Sequence, residues 1–154
     1  MPRVRVQTED FDVGRELDAL TRGRTDVGGL ASFVGLVRDA NDGHAIHGMT
    51  LEHYPGMTEK ALEDICAQAH ARWNLIDTVV IHRVGTLEPG DRIVLVAVAS
   101  PHREAAFEAC HFLIDWLKTE APFWKKEQTR QGERWVETRD SDFDAASRWK
   151  AAKP

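Results

Sequence analysis

Apolar residues recur along this chain at two spacings, and each change of spacing marks an element. Arg3 to Gln7 alternates polar and apolar, the two-residue period of a half-buried strand. Asp12 offers a side-chain cap to a short helix through Leu20. Gly28 to Arg38 reads as a glycine-bearing strand that runs into the turn-rich loop Asp39-Ala40-Asn41-Asp42-Gly43. The chain then returns through His47 to Tyr54, which predicts a hairpin with a long connection. Pro55-Gly56 ends that segment, and Leu62, Ile65, Cys66, Ala69 and Trp73 carry a helical period from Thr58 to Trp73. Ile76 to Val84 and Arg92 to Ser100 are two further strands, joined by the turn Glu88-Pro89-Gly90-Asp91. Ser100 caps a long helix with Pro101 at its first position and His102 and Arg103 next, and the pattern stops at Pro122. Phe123 to Gln128 and Arg134 to Glu137 predict a final hairpin around Gln131-Gly132. A short helix over Asp142 to Trp149 follows, and Lys150 to Pro154 frays.

Strand pairs joined by turns, with helices between them and no internal repeat, predict an α+β domain. Its sheet is mostly antiparallel with packed helices, beside a small additional β hairpin region. At 154 residues the chain reads as a single domain over 1–154, long enough to bury roughly 70% of its unfolded surface. The net charge of −5 argues against nucleic-acid binding through bulk electrostatics and leaves room for a local basic cleft. Met1-Pro2-Arg3 leads into Val4-Arg5-Val6 without the apolar core of a signal peptide. The longest apolar run, Ile93 to Ala99, is seven residues, too short for a bilayer, so a cytoplasmic location is expected.

Candidate chemistry gathers in three places. Lys118, Lys125 and Lys126 flank the break at Pro122, Phe123 and Trp124. Lysines crowded beside apolar rings lose solvation and repel one another, which suits them to bind an anion, relay a proton or attack an electrophile. The plainer alternative is three lysines projecting into water. Pro122 reverses the chain, so Lys118 and Lys125 are expected to converge on one pocket, while Lys126 faces the other way along a regular strand. The second place is Ser100-Pro101-His102-Arg103. There a helix N-terminus and an arginine fork together suit an anion, and the helix dipole favours a neutral His102; a capped helix with a solvated surface is the alternative. The third is Phe33-Val34-Gly35-Leu36-Val37-Arg38, where Gly35 permits a bulge and Arg38 precedes the loop.

Other residue types narrow the chemistry. Cys66 and Cys110 sit on apolar helix faces without a C-x-x-C pair, so any sulfur chemistry borrows its sulfur from a partner. His44, His47, His53, His70, His82 and His111 show no zinc-binding spacing, and no metal or cofactor is expected. Phosphate-loop, dinucleotide and nucleophile-elbow motifs are missing. The five tryptophans read as core and interface packing.

The runs Phe33 to Arg38, Thr50-Leu51-Glu52-His53-Tyr54-Pro55-Gly56-Met57, Ile81 to Gly85, Pro89-Gly90-Asp91, Ser100 to Arg103 and Lys118 to Glu127 resemble, in order, the large catalytic subunit of molybdopterin synthase. The similarity spans residues 3 to 149; Leu36 and Glu88 depart from it without touching a residue assigned a role. The resemblance implies an α/β hammerhead-like fold. It implies sulfur transfer from the C-terminal Gly-Gly thiocarboxylate of a small ubiquitin-like subunit to cyclic pyranopterin monophosphate, forming the dithiolene of molybdopterin. Lys118 and Lys125 would then be catalytic, and Phe33, Arg38, His102, Arg103 and Arg139 would bind substrate. A homodimer within a heterotetramer is also implied, with His102 and Arg103 serving the neighbouring protomer's pocket. Two other readings stay open: a docking module without chemistry, and a partner-independent phosphate-ester enzyme.

Overall fold

The computed structural model describes residues 3–41, 43–130, 132–136, 147 and 149. Its elements in chain order are β1 (Arg3–Gln7), α1 (Val13–Thr21), β2 (Gly29–Leu36), β3 (Ala40–Asn41), β4 (His44–Ala45), β5 (Gly48–His53), α2 (Met57–Arg72), β6 (Asp77–Arg83), β7 (Gly85–Leu87), β8 (Arg92–Ser100), α3 (Arg103–Thr119), β9 (Phe123–Thr129) and β10 (Gly132–Trp135). They build two four-stranded sheets, β1-β6-β8-β2 and β10-β9-β5-β7, plus the small ladder β3-β4. Among the described residues only β1 and β6 pair in parallel, so the α+β class holds.

The first sheet carries the core. β6 and β8 are buried almost throughout, and β8 reads as a near-continuous apolar run, as a strand covered on both faces does. Val80, Val94, Val96 and Val98 pack with Leu62, Ile65, Ala109 and Leu113 from α2 and α3. The alternate residues Val79, Ile81, Leu95 and Ala97 pack against Phe11 and Leu20, beneath α1. Asp12 caps α1 by accepting from the Arg15 N–H, and the helix follows directly. Cys66 and Cys110 are buried free thiols, and desolvation pushes both up to about 11, which keeps them protonated and unreactive.

Four sequence expectations change. One sheet becomes two, and the hairpin between the 28–38 and 47–54 segments does not form. β2 pairs with β8 in the first sheet, whereas β5 pairs with β7 and β9 in the second. The chain switches sheets at Val37, which is buried with its N–H bonded to Asp91 O at 2.9 Å and its carbonyl accepting from Gly90 N at 2.8 Å. The loop beyond folds back on itself as β3 and β4. Similarly, the 88–91 turn joins β8 not to β6 but to β7, because Gly85, at φ 90°, bends the chain from the first sheet into the second. Finally, Ser100 does not cap α3. It pairs with Gly29 in the sheet, so its backbone is extended, and its hydroxyl donates to Asn74 O at 2.8 Å. Its oxygen also accepts from His102 N, and His102 takes the N-cap position without a side-chain cap bond.

Among the described residues no helix is long and apolar enough to cross a membrane. The expected helix over 142–149 lies almost wholly outside the described residues; Trp149 is seen donating its indole N–H to Asp115 at 2.6 Å.

Candidate active site

α3 and β9 meet at an abrupt reversal. The Glu120 and Ala121 N–H groups both close onto the Trp116 carbonyl, and the Phe123 N–H bonds back to Ala121 O at 2.8 Å. Pro122 cannot donate to a continuing helix, so the chain turns there and enters β9. A cavity of ≈ 660 Å³ opens between this reversal, β10 and the end of β2, and Lys118, Lys125, Phe33 and Arg38 all line it. On β9, Phe123, Lys125 and Glu127 line the cavity at every second position, as strand alternation places them, and Trp124 near the start of the strand reaches it as well. Lys126 is absent from that wall and instead reaches Glu133 at 3.8 Å and the Trp135 ring at 5.0 Å.

Gly35 provides the fit on the opposite wall. The β2–β8 register slips between Gly35 and Leu36, and a Cβ at Gly35 would lie 2.9 Å from Val94 Cγ1 and 3.3 Å from the Phe33 ring. Arg38 donates from Nη2 to Asn41 Oδ1 at 3.4 Å. Asn41 in turn donates from Nδ2 to Glu127 Oε2 at 2.8 Å. Arg134 closes the network with Nε and Nη2 on Glu127 Oε1, at 3.2 and 3.0 Å. Glu127 is only 2% exposed, so this pairing is what makes its burial tolerable.

His82 is the residue the sequence reading passed over. It lines the cavity, stacks on Phe123 with centroids 3.7 Å apart, and shares a 2.8 Å hydrogen bond between Nδ1 and the Arg83 carbonyl. Desolvation drives its pKa down to about 3, with the positive charges of Lys125 and Lys118 adding to the effect and the Arg83 carbonyl opposing it. The ring is therefore neutral at ordinary pH, with Nδ1 as donor and Nε2 left as an acceptor. Its one signal in the sequence was a histidine directly after the apolar run Val79-Val80-Ile81 in a strand segment. Trp124 and Trp135, read as packing residues, instead line the cavity while 43% and 54% exposed.

His102 and Arg103 do not line this cavity. They stand at the opposite end of α3 from Lys118, a separation of about 22 Å along the helix axis at 1.5 Å per residue. Arg139 lies outside the described residues. Among the described residues no cluster of three or more His, Cys, Asp or Glu side chains is placed to hold a metal ion.

Comparison with known proteins bears on this arrangement. The MoaE protein family model matches residues 6–120. The molybdopterin synthase catalytic subunit of Ralstonia nicotianae is 62% identical over 149 residues, covering 97% of this chain and 85% of that protein. This chain belongs to the MoaE family. The Pseudomonas aeruginosa catalytic subunit is 58% identical over 146 residues, with 95% of this chain and 97% of that protein covered. Among solved structures, the MoaE protein of Burkholderia ambifaria superposes with a TM-score of 0.84 at 53% identity, covering 99% of this chain and all of that one. The fold around the cavity is thus a MoaE fold, and the ordered motifs of the sequence belong to that family.

Proposed function

We propose that this chain is the catalytic subunit of a cytoplasmic molybdopterin synthase. It transfers sulfur from the C-terminal thiocarboxylate of a small ubiquitin-like subunit to cyclic pyranopterin monophosphate and forms the dithiolene of molybdopterin. Family membership supports the enzyme assignment. The observation that carries the chemistry is the meeting of Lys118, Lys125 and Arg38 around one cavity.

The charges match the reactants. Arg38 presents a guanidinium suited to the substrate's cyclic phosphate. The donor's thiocarboxylate is an anion whose sulfur forms the new bond to a substrate carbon as a carbon–oxygen bond of that carbon breaks and the departing oxygen takes a proton from Lys118, leaving an acyl group on that sulfur. Water then cleaves the acyl–sulfur bond through a tetrahedral oxyanion, releasing the partner's carboxylate and leaving sulfur on the pterin. Lys118 is the main proton-transfer and charge-stabilising group, and Lys125 orients the thiocarboxylate and the tetrahedral species. Phe33 supplies an apolar wall for the heterocycle. Both buried cysteines are held as thiols, which fits a sulfur that arrives on the partner. His102 and Arg103 complete the substrate site from the second copy in a homodimer capped by two small subunits, and Arg139 is a further candidate to bind the pterin or its phosphate.

The test is a single-turnover reaction of the purified chain with thiocarboxylated small subunit and cyclic pyranopterin monophosphate, followed by mass. Product that requires both reactants supports the reading. Normal docking of the partner with no sulfur transfer overturns it.

A further inference from the structure

Arg38 and Glu127 both line the cavity, and the residue that links them is neutral. A guanidinium offers only donors and a carboxylate only acceptors, so a side chain that binds both must offer an acceptor and a donor at once. Asn41 does. Its Oδ1 accepts from Arg38 at 3.4 Å and its Nδ2 donates to Glu127 at 2.8 Å. The far end of the chain is anchored, because Arg134 holds Glu127 through two N–H groups and also donates to the Asn41 backbone carbonyl at 3.1 Å. Side chain and backbone of Asn41 are thereby fixed together. The segment itself is pinned at one side by Val37 on the 88–91 turn and at the other by the Asn41–His44 pairing.

We propose that Asn41 is a positioning residue for Arg38: its amide links the Arg134-anchored Glu127 carboxylate to the Arg38 guanidinium and sets where that cation meets an anionic substrate. The inference rests on the reading of Arg38 as the group that binds the substrate's anion. Glu127 has a matching assignment. One carboxylate oxygen is taken by Arg134 and the other by Asn41, so it acts as the anchor of the relay and not as a proton carrier. An aspartate at position 41 would set two carboxylates against each other, and an aliphatic residue would leave Glu127 short of a donor inside the protein.

The experiment uses the full chain and two readouts. The first is the rotation rate of the Arg38 guanidinium about Nε–Cζ, read by nitrogen-15 NMR without any substrate. In Asn41→Leu that rotation accelerates several-fold. The second is the single-turnover reaction with the thiocarboxylated subunit. There the half-saturating pterin concentration rises about tenfold, as for loss of one hydrogen bond to a charged group, while the saturating rate stays within about threefold. In an Arg38→Ala background the same substitution adds nothing further, which separates positioning from a general structural role. Unchanged Arg38 rotation, or an equal penalty in both backgrounds, overturns the proposal. Should Asn41→Leu fail to fold, Asn41→Ser, too short to span both partners, carries the same expectations. Absence of turnover in the wild type would sink the sulfur-transfer reading alone, because Arg38 rotation still decides the role of Asn41.

Discussion

The imidazole of His82 lies flat on the ring of Phe123, centroids 3.7 Å apart and planes 15° from parallel. His53, the register partner of Phe123 across the β5–β9 ladder, stacks on the same ring at 6.4 Å. Phe123 is the first residue after Pro122, so these contacts set how β9 leaves the reversal. Lys125 follows two positions later on the same face of the strand. The direction of the lysine is therefore decided by ring packing behind it, and the buried imidazole is part of the mounting of the site.

That burial makes stability depend on pH in a defined direction. His82 titrates at about 3 in the folded protein against 6.5 for an ordinary histidine. Above 6.5 both folded and unfolded forms are neutral and its contribution is fully present. As pH falls from 6.5 towards 3 the unfolded chain takes a proton that the native one refuses, so stability declines by about 1.4 kcal/mol per pH unit. His70, also lowered mainly by desolvation, acts in the same sense. Urea unfolding at pH 7, 6 and 5 should show this slope, and His82→Phe should flatten it. An unchanged slope in the variant would assign the dependence elsewhere.

Removing either cavity lysine should slow the chemistry itself. Lys118→Ala and Lys125→Ala are each expected to lower the single-turnover rate about 30-fold or more, or ~2 kcal/mol for one preorganised charge donor. Lys126→Ala serves as the comparison. It breaks a partly exposed pair with Glu133 at 3.8 Å, an interaction of roughly 0–1 kcal/mol, and should leave turnover near normal with preloaded partner. Near-normal turnover in Lys118→Ala would remove it from the mechanism.

Much of this site was legible because its decisive feature is local. Lys118 and Lys125 are seven positions apart across a proline, and a reversal between them follows from helix and proline chemistry alone. What was not legible depends on partners distant in sequence. The hairpin expected between the segments before and after residues 39–43 failed because β2 finds β8 and β5 finds β9, pairings that no local turn signal encodes. His82 was passed over because its role comes from Phe123, 41 positions later in the chain. Ser100 looked like a cap because its residue type suits one; the strand's ladder to Gly29 had the stronger claim on its backbone.

Gly28 and Gly29 are where β2 and the start of α3 touch. A Cβ on Gly28 would lie 2.0 Å from the Pro101 carbonyl oxygen, and one on Gly29 2.9 Å from Arg103 Cα. Both neighbours are backbone and cannot swing aside. Gly28→Ala should therefore destabilise the protein by about 2 kcal/mol or more, on the scale of overpacking a closed contact. Gly14→Ala, on α1 with its nearest neighbour at 3.6 Å, should be neutral or stabilising by up to about 1 kcal/mol. Thermal melts of the two variants should move apart, and a Gly28→Ala protein as stable as wild type would contradict the close approach.

His102 and Arg103 leave a question of geometry that mixing experiments answer. They stand about 22 Å along α3 from Lys118, too far to share one reacting centre within a protomer. In a two-fold dimer, however, the far end of α3 in one copy can stand at the cavity of the other. Lys118→Ala and Arg103→Ala homodimers are each expected to be nearly inactive. Unfolded together and refolded as a mixture, they form some dimers holding one of each chain. If Arg103 acts across the dimer, such a hybrid keeps one intact site, made of Lys118 from the Arg103→Ala chain and Arg103 from the Lys118→Ala chain. An equal mixture should then recover about a quarter of the wild-type sites, by the statistics of two-fold pairing. If Arg103 served its own protomer, every site in the hybrid would lack one of the two residues and no activity would return.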